Sequence, residues 1–348
     1  MKKKIFTKNK SLKLEVNEDK YLYPMLTPTS KKTNYYDPAP KSSVLTNRYF
    51  GRVLLQLHQI LGLFYSLNIK TKNKKILDIG TGNGFVPQLF LNYSDISSAV
   101  GVDPYEENEH MSSWQPNKTN TNLKKIIKFI NQNTSKSLSF DRYKKFLDKE
   151  NYSFIPPEIK LKKNKKSKVF KKIKIGAHSL SKLNEKFDII YCKAIEHIPN
   201  WKGVFKNIDK VSKKGSIIYF KHRSFFSYLG AHRYASIGIP WGHVVLKDEE
   251  YKKFVKTFHK KREAEMKNFF FKGLSYPRYS VSDMCEIAAK YKFYPIFISS
   301  EKPRYFNKIL NYTNLIRNLW EIIRNNYPTV SSEEVLSGIY HIVFKKIK

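Results

Sequence analysis

Three closely spaced glycines are the residues with the clearest chemical meaning. Gly80, Gly82 and Gly84 follow an apolar segment of strand length that carries Asp78 near its end. Because glycine has no Cβ and tolerates positive φ angles, such a turn lets a ligand approach the backbone closely. A dinucleotide-binding GxGxxG pattern needs its third glycine at position 85, where this chain has Phe85. The carboxylate of Asp78 instead favours a ligand with an ammonium or sulfonium group.

A second acidic residue lies where a nucleoside would need it. Asp103 ends the next predicted strand, nineteen residues after Gly84. A carboxylate at this place can accept hydrogen bonds from both hydroxyl groups of a ribose. The GxGxG pattern alone is a weak signal. The ordered combination of strand, acidic residue, glycines, helix, strand and second acidic residue is specific, and it predicts a nucleoside site.

The elements that position these residues alternate between strand and helix patterns. This alternation predicts an α/β fold with a mostly parallel sheet and helices on both faces. Helices are predicted over about 45–68, 86–93 and 281–291, and the final strand is expected to run antiparallel to its neighbours. The seven predicted strands are Lys75–Ile79, Ala99–Asp103, Phe170–Ile175, Phe187–Cys192, Ser216–Lys221, Tyr294–Ser299 and Ile339–Lys345.

Three stretches interrupt this regular alternation. Residues 1–44 are polar and contain four prolines, so they are predicted to form an N-terminal arm. The remaining residues, 45–348, are predicted to form one domain. Residues 106–168 separate two strands by more than a usual connection and indicate an insertion. Residues 222–280 are rich in histidine, arginine and aromatic residues, and we expect them to bind the acceptor or form a lid.

These motifs resemble those of the class I S-adenosylmethionine (SAM) dependent methyltransferases, in particular the small-molecule, type-11-like branch. The segments Ile175–His178, Phe187–Asn200 and Val211–Gly215 are similar to further motifs of that family. The resemblance implies a seven-stranded Rossmann-like fold, SAM as cofactor and S-adenosylhomocysteine as product. It also implies the residues that hold SAM, namely Asp78, Gly80, Thr81, Gly82, Gly84, Asp103, Pro104, Ala177, His178, Lys193 and Glu196.

His197 is the candidate for a general base. It follows the fourth predicted strand, at the expected mouth of the cofactor site. A histidine titrates near neutral pH and can accept the proton of a hydroxyl acceptor. The alternative is a structural histidine or one that contacts the cofactor, and the sequence leaves both interpretations open. Glu196 is expected to contact the cofactor rather than to act as an acid.

The acceptor is expected to bind in the first part of the 222–280 segment, because ligands of parallel α/β sheets bind beyond the carboxyl ends of the strands. Basic side chains alternate there with aromatic ones, as in a pocket for a polar or glycan-type molecule. The alternative is a packed lid in which the aromatic residues are core. The candidate acceptor-binding residues are His222, Arg223, His232, Arg233, Trp241 and His243.

The composition leaves a nucleic-acid partner open without favouring it. The chain has 348 residues, with 65 Lys and Arg against 29 Asp and Glu, a formal charge of +36. Only ten of the basic residues are arginine, the side chain best suited to bidentate phosphate recognition. We therefore predict O-methylation of a small-molecule or glycan-type acceptor. The alternatives are an RNA methyltransferase that uses the lysine-rich surface and a non-catalytic SAM-binding protein.

Other classes of function are not supported by the sequence. Two cysteines cannot build a disulfide framework, and the histidines do not show metal-ligand spacing, so no metal is predicted. GxSxG and P-loop patterns are missing from the sequence. Neither a targeting segment nor a membrane-spanning segment is predicted, and a cytoplasmic location is expected.

Overall fold

The protein was analysed as a computed structural model. The structure describes residues 4–7, 13–16, 47–82, 84–104, 170–228, 230–231, 237, 239–259, 263–302 and 313–348. The predicted insertion at 106–168 and most of the predicted arm at 1–44 lie outside the described residues. Within the arm, β1 (Lys4–Thr7) and β2 (Lys13–Val16) form an antiparallel pair.

A seven-stranded sheet organises the described residues, as predicted. The seven strands are β3 (Lys75–Ile79), β4 (Ser98–Val102), β5 (Phe170–Ile173), β6 (Phe187–Cys192), β7 (Ser212–Arg223), β8 (Phe293–Ser300) and β9 (Ile339–Lys346). Their order in the sheet is β5-β4-β3-β6-β7-β9-β8. The five strands from β5 to β7 in this order are parallel, and β9 is antiparallel to both β7 and β8. This arrangement confirms the mostly parallel, Rossmann-like fold with an antiparallel last strand.

One face of the sheet is covered by α1 (Asn47–Ser66) and α2 (Phe85–Tyr93), which pack on apolar side chains of β3, β6 and β7. The helix α1 is buried continuously from Val53 to Phe64, although it contains polar residues. Two of them are hydrogen-bonded to the sheet: Gln56 bonds the Tyr191 hydroxyl, and Gln59 accepts a bond from Lys221 at 3.1 Å. These bonds explain how polar side chains are accommodated beneath the helix.

The opposite face is covered by α3 (Trp201–Lys210) and α7 (Val281–Lys290). The Asn200 side chain caps α3 by accepting a hydrogen bond from the backbone of Gly203 at 3.2 Å. A capping box formed by Ser280 and Asp283 begins α7. These caps fix where each helix begins, and they hold the chain next to the carboxyl ends of β6 and β7.

Most of the chain between β7 and β8 is helical and has its own apolar core. The helices are α4 (Gly242–Val245), α5 (Asp248–His259) and α6 (Glu263–Asn268), and a short π-helical turn follows at Phe269–Gly273. They pack together with α8 (Thr313–Asn326) and α9 (Ser332–Leu336). Within the described residues, none of the helices has the length and apolarity required to cross a membrane.

Candidate active site

The glycine-rich loop, residues 78–84, connects β3 to α2. Gly80, Gly82 and Gly84 have φ angles of 73°, 54° and 78°, all in the left-handed region that favours glycine. A Cβ on Gly80 would lie 2.8 Å from the Cβ of Ala194, so this turn packs directly on the chain that leaves β6. A Cβ on Gly82 would meet no heavy atom of the described residues within 4 Å. The loop therefore has a tightly packed side and an open side.

Two aspartates organise the loop from inside. The Thr81 hydroxyl donates to Asp78 Oδ2 at 2.8 Å, and the backbone N–H of Gly82 donates to Asp103 Oδ2 at 2.9 Å. Both carboxyl groups are buried, with 3% and 2% of each residue exposed. The parallel pairing of β3 with β4 brings the two residues to the same edge of the sheet.

The electrostatics of this edge favour a cationic ligand. Burial, together with a smaller contribution from the neighbouring Asp103, raises the pKa of Asp78 to about 7, although Thr81 and Lys193 act in the opposite direction. A positive group placed beside Asp78 would favour its ionised form. The sulfonium and ammonium groups of SAM are such groups, and the open side of Gly82 leaves space for a ligand near the backbone. The residues present therefore fit SAM.

Other residues predicted to hold SAM lie around this loop. Pro104 is exposed next to Asp103, and a Cβ on Gly176 would lie 3.8 Å from the Cβ of Pro104. Gly176 precedes Ala177, which is buried, and His178, whose exposed ring contacts the carbonyl oxygen of Pro199 at 2.9 Å. The turns after β4, β5 and β6 are thus in contact.

Lys193 and Glu196 follow β6 and differ in their surroundings. The Lys193 amino group is exposed and donates to the side chain of Gln56 on α1 at 3.2 Å. Glu196 lies in a short 3₁₀ turn, Ile195–His197, with its carboxyl group directed into the protein. Lys193 therefore links the cofactor side of the sheet to α1, whereas Glu196 belongs to a second group of residues.

That second group forms a small pocket beyond the carboxyl ends of β6 and β7, which we call the acceptor pocket. It begins two residues after Ala194, which contacts the glycine-rich loop. Three separate segments of the chain contribute to it. Its lining residues are Glu196, Trp201, His222, Phe225, Ala231, Leu274, Ser275, Arg278 and Tyr279.

The polar atoms of the acceptor pocket are incompletely satisfied. Both ring nitrogens of His222, Oε2 of Glu196 and Oγ of Ser275 are buried, and none has a hydrogen-bond partner among the described residues. His222 Nδ1 lies 3.9 Å from Glu196 Oε2, which is an ion-pair contact and too long for a hydrogen bond. Buried polar groups in folded proteins are nearly always hydrogen-bonded, so this cluster has free capacity to bind an ordered water or a polar group of a ligand.

The walls of the acceptor pocket are rigid. The Trp201 and Tyr279 rings stack with centroids 4.9 Å apart, and Trp201 also packs edge-on against His222 at 5.4 Å. The Arg278 guanidinium lies over the ring of Phe225 at 4.3 Å and donates to backbone carbonyl groups. Burial lowers the pKa of Arg278 to about 10. Since its donors are used inside the protein, Arg278 holds the wall in place.

Burial alone would raise the pKa of the Glu196 carboxyl, but the neighbouring His222 and His197 imidazoles outweigh it and lower that pKa. The backbone carbonyl of Glu196 also accepts a hydrogen bond from Ser275 N at 2.7 Å, which fixes the 3₁₀ turn to the opposite wall. An ionised carboxylate is therefore held at a defined position in the acceptor pocket.

His197 lies beside the acceptor pocket and does not line it. Its Nδ1 is 2.6 Å from the carbonyl oxygen of Gly273, so Nδ1 donates and the neutral ring has its lone pair on Nε2. The ring also packs edge-on against Phe269 at 6.2 Å. The structure thus gives His197 a defined orientation, which is compatible with either interpretation drawn from the sequence.

The predicted acceptor residues separate into three groups. His222 lines the acceptor pocket, whereas Arg223 is exposed at the end of β7. Trp241 and His243 lie in the helical core: Trp241 Nε1 donates to Val335 O at 3.0 Å, and His243 Nε2 donates to Phe225 O at 2.8 Å. Neither residue lines the acceptor pocket. His232 and Arg233 lie outside the described residues.

Trp241 and His243 pack as core residues of the helical segment between β7 and β8. Trp241 is fully buried, and burial lowers the pKa of His243 to about 4, so its ring is neutral at physiological pH. The polar atom of each side chain is satisfied by a backbone carbonyl. For these two residues, the packed lid is the interpretation that agrees with their contacts.

Sequence reasoning named none of Ser275, Arg278 and Tyr279. These residues lie in one short segment, Ser275–Tyr279, between the π-helical turn and α7. The signal available in the sequence was the pair of tyrosines and the arginine around Pro277. These residue types indicate a binding site only when they are known to lie next to Glu196 and His222, and that proximity depends on tertiary contacts.

Comparison with known proteins agrees with this geometry. Residues 50–248, more than half of the chain, match the family model described as "Methyltransferase domain". Curated protein sequences gave no significant match.

Solved structures with a similar fold are distant in sequence. Cyclopropane synthase MmaA2 from Mycobacterium tuberculosis is 14% identical, with a TM-score of 0.41 over 91% of this chain and 100% of that chain. A candidate sarcosine dimethylglycine methyltransferase from Galdieria sulphuraria is 11% identical, with a TM-score of 0.41 over 84% and 86%. The YcgJ protein from Bacillus subtilis is 13% identical, with a TM-score of 0.38 over 84% and 99%.

The family match spans the glycine-rich loop, both aspartates, the 3₁₀ turn after β6 and the end of β7. These are the places at which the loop geometry, the buried acid pair and the strand order fit SAM. The chain therefore belongs to the methyltransferase domain family, and it is a class I SAM-dependent methyltransferase.

Proposed function

We propose that the protein transfers the methyl group of SAM to a hydroxyl group of a small-molecule or glycan-type acceptor bound in the acceptor pocket. The observation that carries this proposal is the cluster of buried side-chain atoms, on Glu196, His222 and Ser275, for which the described residues supply no hydrogen-bond partner. An unpaired buried donor or acceptor costs about 1–3 kcal/mol, so a ligand that completes these hydrogen bonds gains affinity. A polar group of the acceptor would supply the missing partners.

The proposed cofactor contacts lie on the glycine-rich loop. Asp103 would accept hydrogen bonds from the ribose hydroxyl groups, and Asp78 would lie near the positive charge of SAM. Gly82 leaves the open space that close approach of a ligand requires. The buried positions of both aspartates, together with the raised pKa of Asp78, support this assignment.

Bound SAM supplies a methyl group on a positively charged sulfur, and the carbon–sulfur electron pair remains with sulfur when an acceptor oxygen takes that methyl group. The chain's own contribution is to hold the acceptor in line and to keep water out. The stacked Trp201 and Tyr279 rings and the Phe225 ring supply apolar walls for this purpose. A hydroxyl acceptor must also lose a proton, and a positioned base accelerates such a step by about 10²–10⁴-fold.

Transfer of label from SAM tests the proposal. Purified protein is incubated with [methyl-³H]SAM and a metabolite extract, with and without RNase, and the products are separated by size and by chromatography. We expect labelled low-molecular-mass product whose yield RNase does not change. Label recovered in RNA would instead support the RNA methyltransferase suggested by the charge of +36. SAM binding without label in any fraction would indicate a non-catalytic protein.

A further inference from the structure

We infer that His222 is the general base for the acceptor hydroxyl and that Glu196 is the positioning residue that orients the His222 ring. This inference rests on the proposed methyl transfer to a hydroxyl group. It differs from the expectation drawn from the sequence, which placed the base at His197.

The topology brings the two side chains together. β6 and β7 are adjacent and parallel, with Cys192 opposite Phe220. Glu196 follows β6 in the 3₁₀ turn, and His222 lies near the carboxyl end of β7. Their side chains are 11% and 2% exposed, and Oε2 of Glu196 is 3.9 Å from Nδ1 of His222. The pair is therefore shielded from bulk water at the edge of the sheet where ligands bind.

The contact with Glu196 favours one tautomer of His222. A negative charge 3.9 Å from Nδ1 favours a hydrogen rather than a lone pair on that nitrogen, so the neutral ring keeps its lone pair on Nε2. Nε2 has no hydrogen-bond partner among the described residues. An acceptor hydroxyl in the pocket can donate to this atom. When the hydroxyl oxygen takes the methyl group, its proton passes to Nε2, and the resulting imidazolium lies beside the Glu196 carboxylate.

The remaining groups at the pocket fit this arrangement. The edge of Trp201 packs against the His222 ring and restricts its rotation. Ser275 Oγ is buried, has no hydrogen-bond partner in the described part of the chain, and can bind the acceptor. His197 has one ring nitrogen on the Gly273 carbonyl and does not line the pocket. His222 is thus the histidine that an acceptor in this pocket would contact.

Other ionisable groups face the pair and contribute to any pH profile. His197 lies on the same turn as Glu196, Arg278 and Tyr279 lie on the opposite wall, and Glu334 of α9 interacts electrostatically with His222. A pH effect must therefore be assigned by comparing variants. Glu196→Gln removes the charge and keeps the shape of the side chain, which makes it the informative variant.

The first experiment measures turnover of the labelled low-molecular-mass product together with SAM affinity by calorimetry. His222→Gln is expected to lower turnover by about 10²–10⁴-fold with unchanged SAM affinity. Added imidazole is expected to restore part of the activity of His222→Ala, because the truncation leaves room for it. Turnover of His222→Gln within about threefold of wild type, or an equal loss of SAM affinity, would overturn the inference.

The second experiment needs no acceptor. The ring resonances of His222 are recorded in [¹³C,¹⁵N]histidine-labelled protein, for wild type and for Glu196→Gln, because they distinguish the two neutral tautomers. We expect the tautomer with its hydrogen on Nδ1 to predominate in wild type and to lose population in the variant, because the variant lacks the negative charge beside Nδ1. Equal tautomer populations in the two proteins would overturn the positioning role of Glu196.

The two hypotheses fail in different ways. If wild type transfers no label to any acceptor, the proposed function is wrong and the base role of His222 is wrong with it. If wild type transfers label and His222→Gln is equally active, only the inference about His222 is wrong.

Discussion

The glycine-rich loop and the acceptor pocket both contact the chain that leaves β6, the loop at Ala194 and the pocket at Glu196, yet they satisfy their polar groups in opposite ways. In the loop, Asp78 and Asp103 accept hydrogen bonds from Thr81 and from the Gly82 backbone. In the pocket, Oε2 of Glu196, both ring nitrogens of His222 and Oγ of Ser275 have no hydrogen-bond partners among the described residues. The loop is preformed by its own hydrogen bonds, whereas in the proposed function a bound acceptor supplies the partners of the pocket.

This difference assigns separate tasks to the two regions. A preformed loop binds its ligand without large rearrangement, since its conformation is fixed by glycines and by internal hydrogen bonds. Unsatisfied polar atoms reduce stability and gain affinity only for a ligand that matches them. We therefore expect changes in the loop to alter SAM binding, and changes in the pocket to alter turnover while leaving folding intact.

The largest effect on the loop is expected from Asp103→Ala. It removes the carboxylate proposed to hold the ribose and the bond to Gly82, so SAM should bind about 1–3 kcal/mol more weakly, or roughly 5- to 150-fold. Isothermal titration calorimetry measures this loss. As a control, Asp188→Ala removes another well-bonded aspartate, paired with Lys74 and Lys213 at the opposite end of β6, and should leave SAM affinity unchanged. Equal SAM affinity in wild type and Asp103→Ala would place the nucleoside elsewhere.

A smaller loss of SAM binding is expected from Gly82→Ala. Gly82 and Gly215 both have positive φ angles, 54° and 81°, and a Cβ on either would meet no heavy atom within 4 Å. Each alanine variant should lose about 1 kcal/mol or more of stability from backbone strain. Only Gly82→Ala should also weaken SAM binding, by about tenfold, because its methyl group enters the proposed cofactor space. If both variants bind SAM alike, the open side of the loop is not the cofactor site.

The effect of pH on SAM affinity should be similar to, or smaller than, the effect of Gly82→Ala. The pKa of Asp78 in the free protein is about 7, and a cationic ligand favours the ionised form, so SAM affinity should increase by about tenfold between pH 6 and 8. The stability of the ligand-free protein has the opposite dependence. Because the folded pKa is the higher one, the contribution of Asp78 to stability is lost as the pH rises from about 4 to about 7.

Asp78→Asn provides the control for this pH dependence. The amide cannot ionise, so the part of the SAM affinity that depends on Asp78 should disappear while the remaining titration is retained. Calorimetry at several pH values, performed in parallel on both proteins, measures the difference. Superimposable profiles would show that Asp78 does not lie near the charge of SAM.

The smallest expected effects are changes in stability on substitution of two serines, Ser275 and Ser280, which lie five positions apart. Ser280 caps α7 through Asp283, so Ser280→Ala should cost about 1 kcal/mol of unfolding free energy. Ser275 Oγ finds no hydrogen-bond partner within the described ranges, so Ser275→Ala should cost little or slightly stabilise the fold, while weakening acceptor binding. Urea denaturation distinguishes the two variants. A clear loss of stability in Ser275→Ala would mean that its hydroxyl is structural.

The same contrast explains what the sequence could predict. The loop is contiguous, and its glycines, aspartates and following helix carry a local pattern that fixes both fold and cofactor. The strands Lys75–Ile79 and Phe187–Cys192 were predicted at their observed bounds because both are short, mostly apolar segments between polar residues. In these cases, local chemistry determines local structure.

Other bounds depended on interactions that are not visible locally. β7 begins at Ser212 rather than at position 216, because its pairing continues through a polar stretch that contains Gly215, with a register shift between Phe187 and Ile189 on β6. β5 ends at Ile173 rather than at position 175, since Ile175 N turns back to the Ile173 carbonyl.

The acceptor pocket was the least predictable part. Its residues come from positions 196–201, 222–231 and 274–279, which only tertiary packing brings together. The aromatic and basic residues around Trp241 have the composition of a binding site, but Trp241 and His243 form part of the helical core. Composition alone cannot separate a packed aromatic residue from one that faces a ligand, because both use the same side chains.

The most direct test of the account is a crystal structure of the protein with S-adenosylhomocysteine. We expect the ribose hydroxyl groups at Asp103, the amino acid part beside Asp78, and the sulfur directed towards Glu196 and His222. A nucleoside bound away from the glycine-rich loop, or a sulfur directed away from the acceptor pocket, would contradict the account.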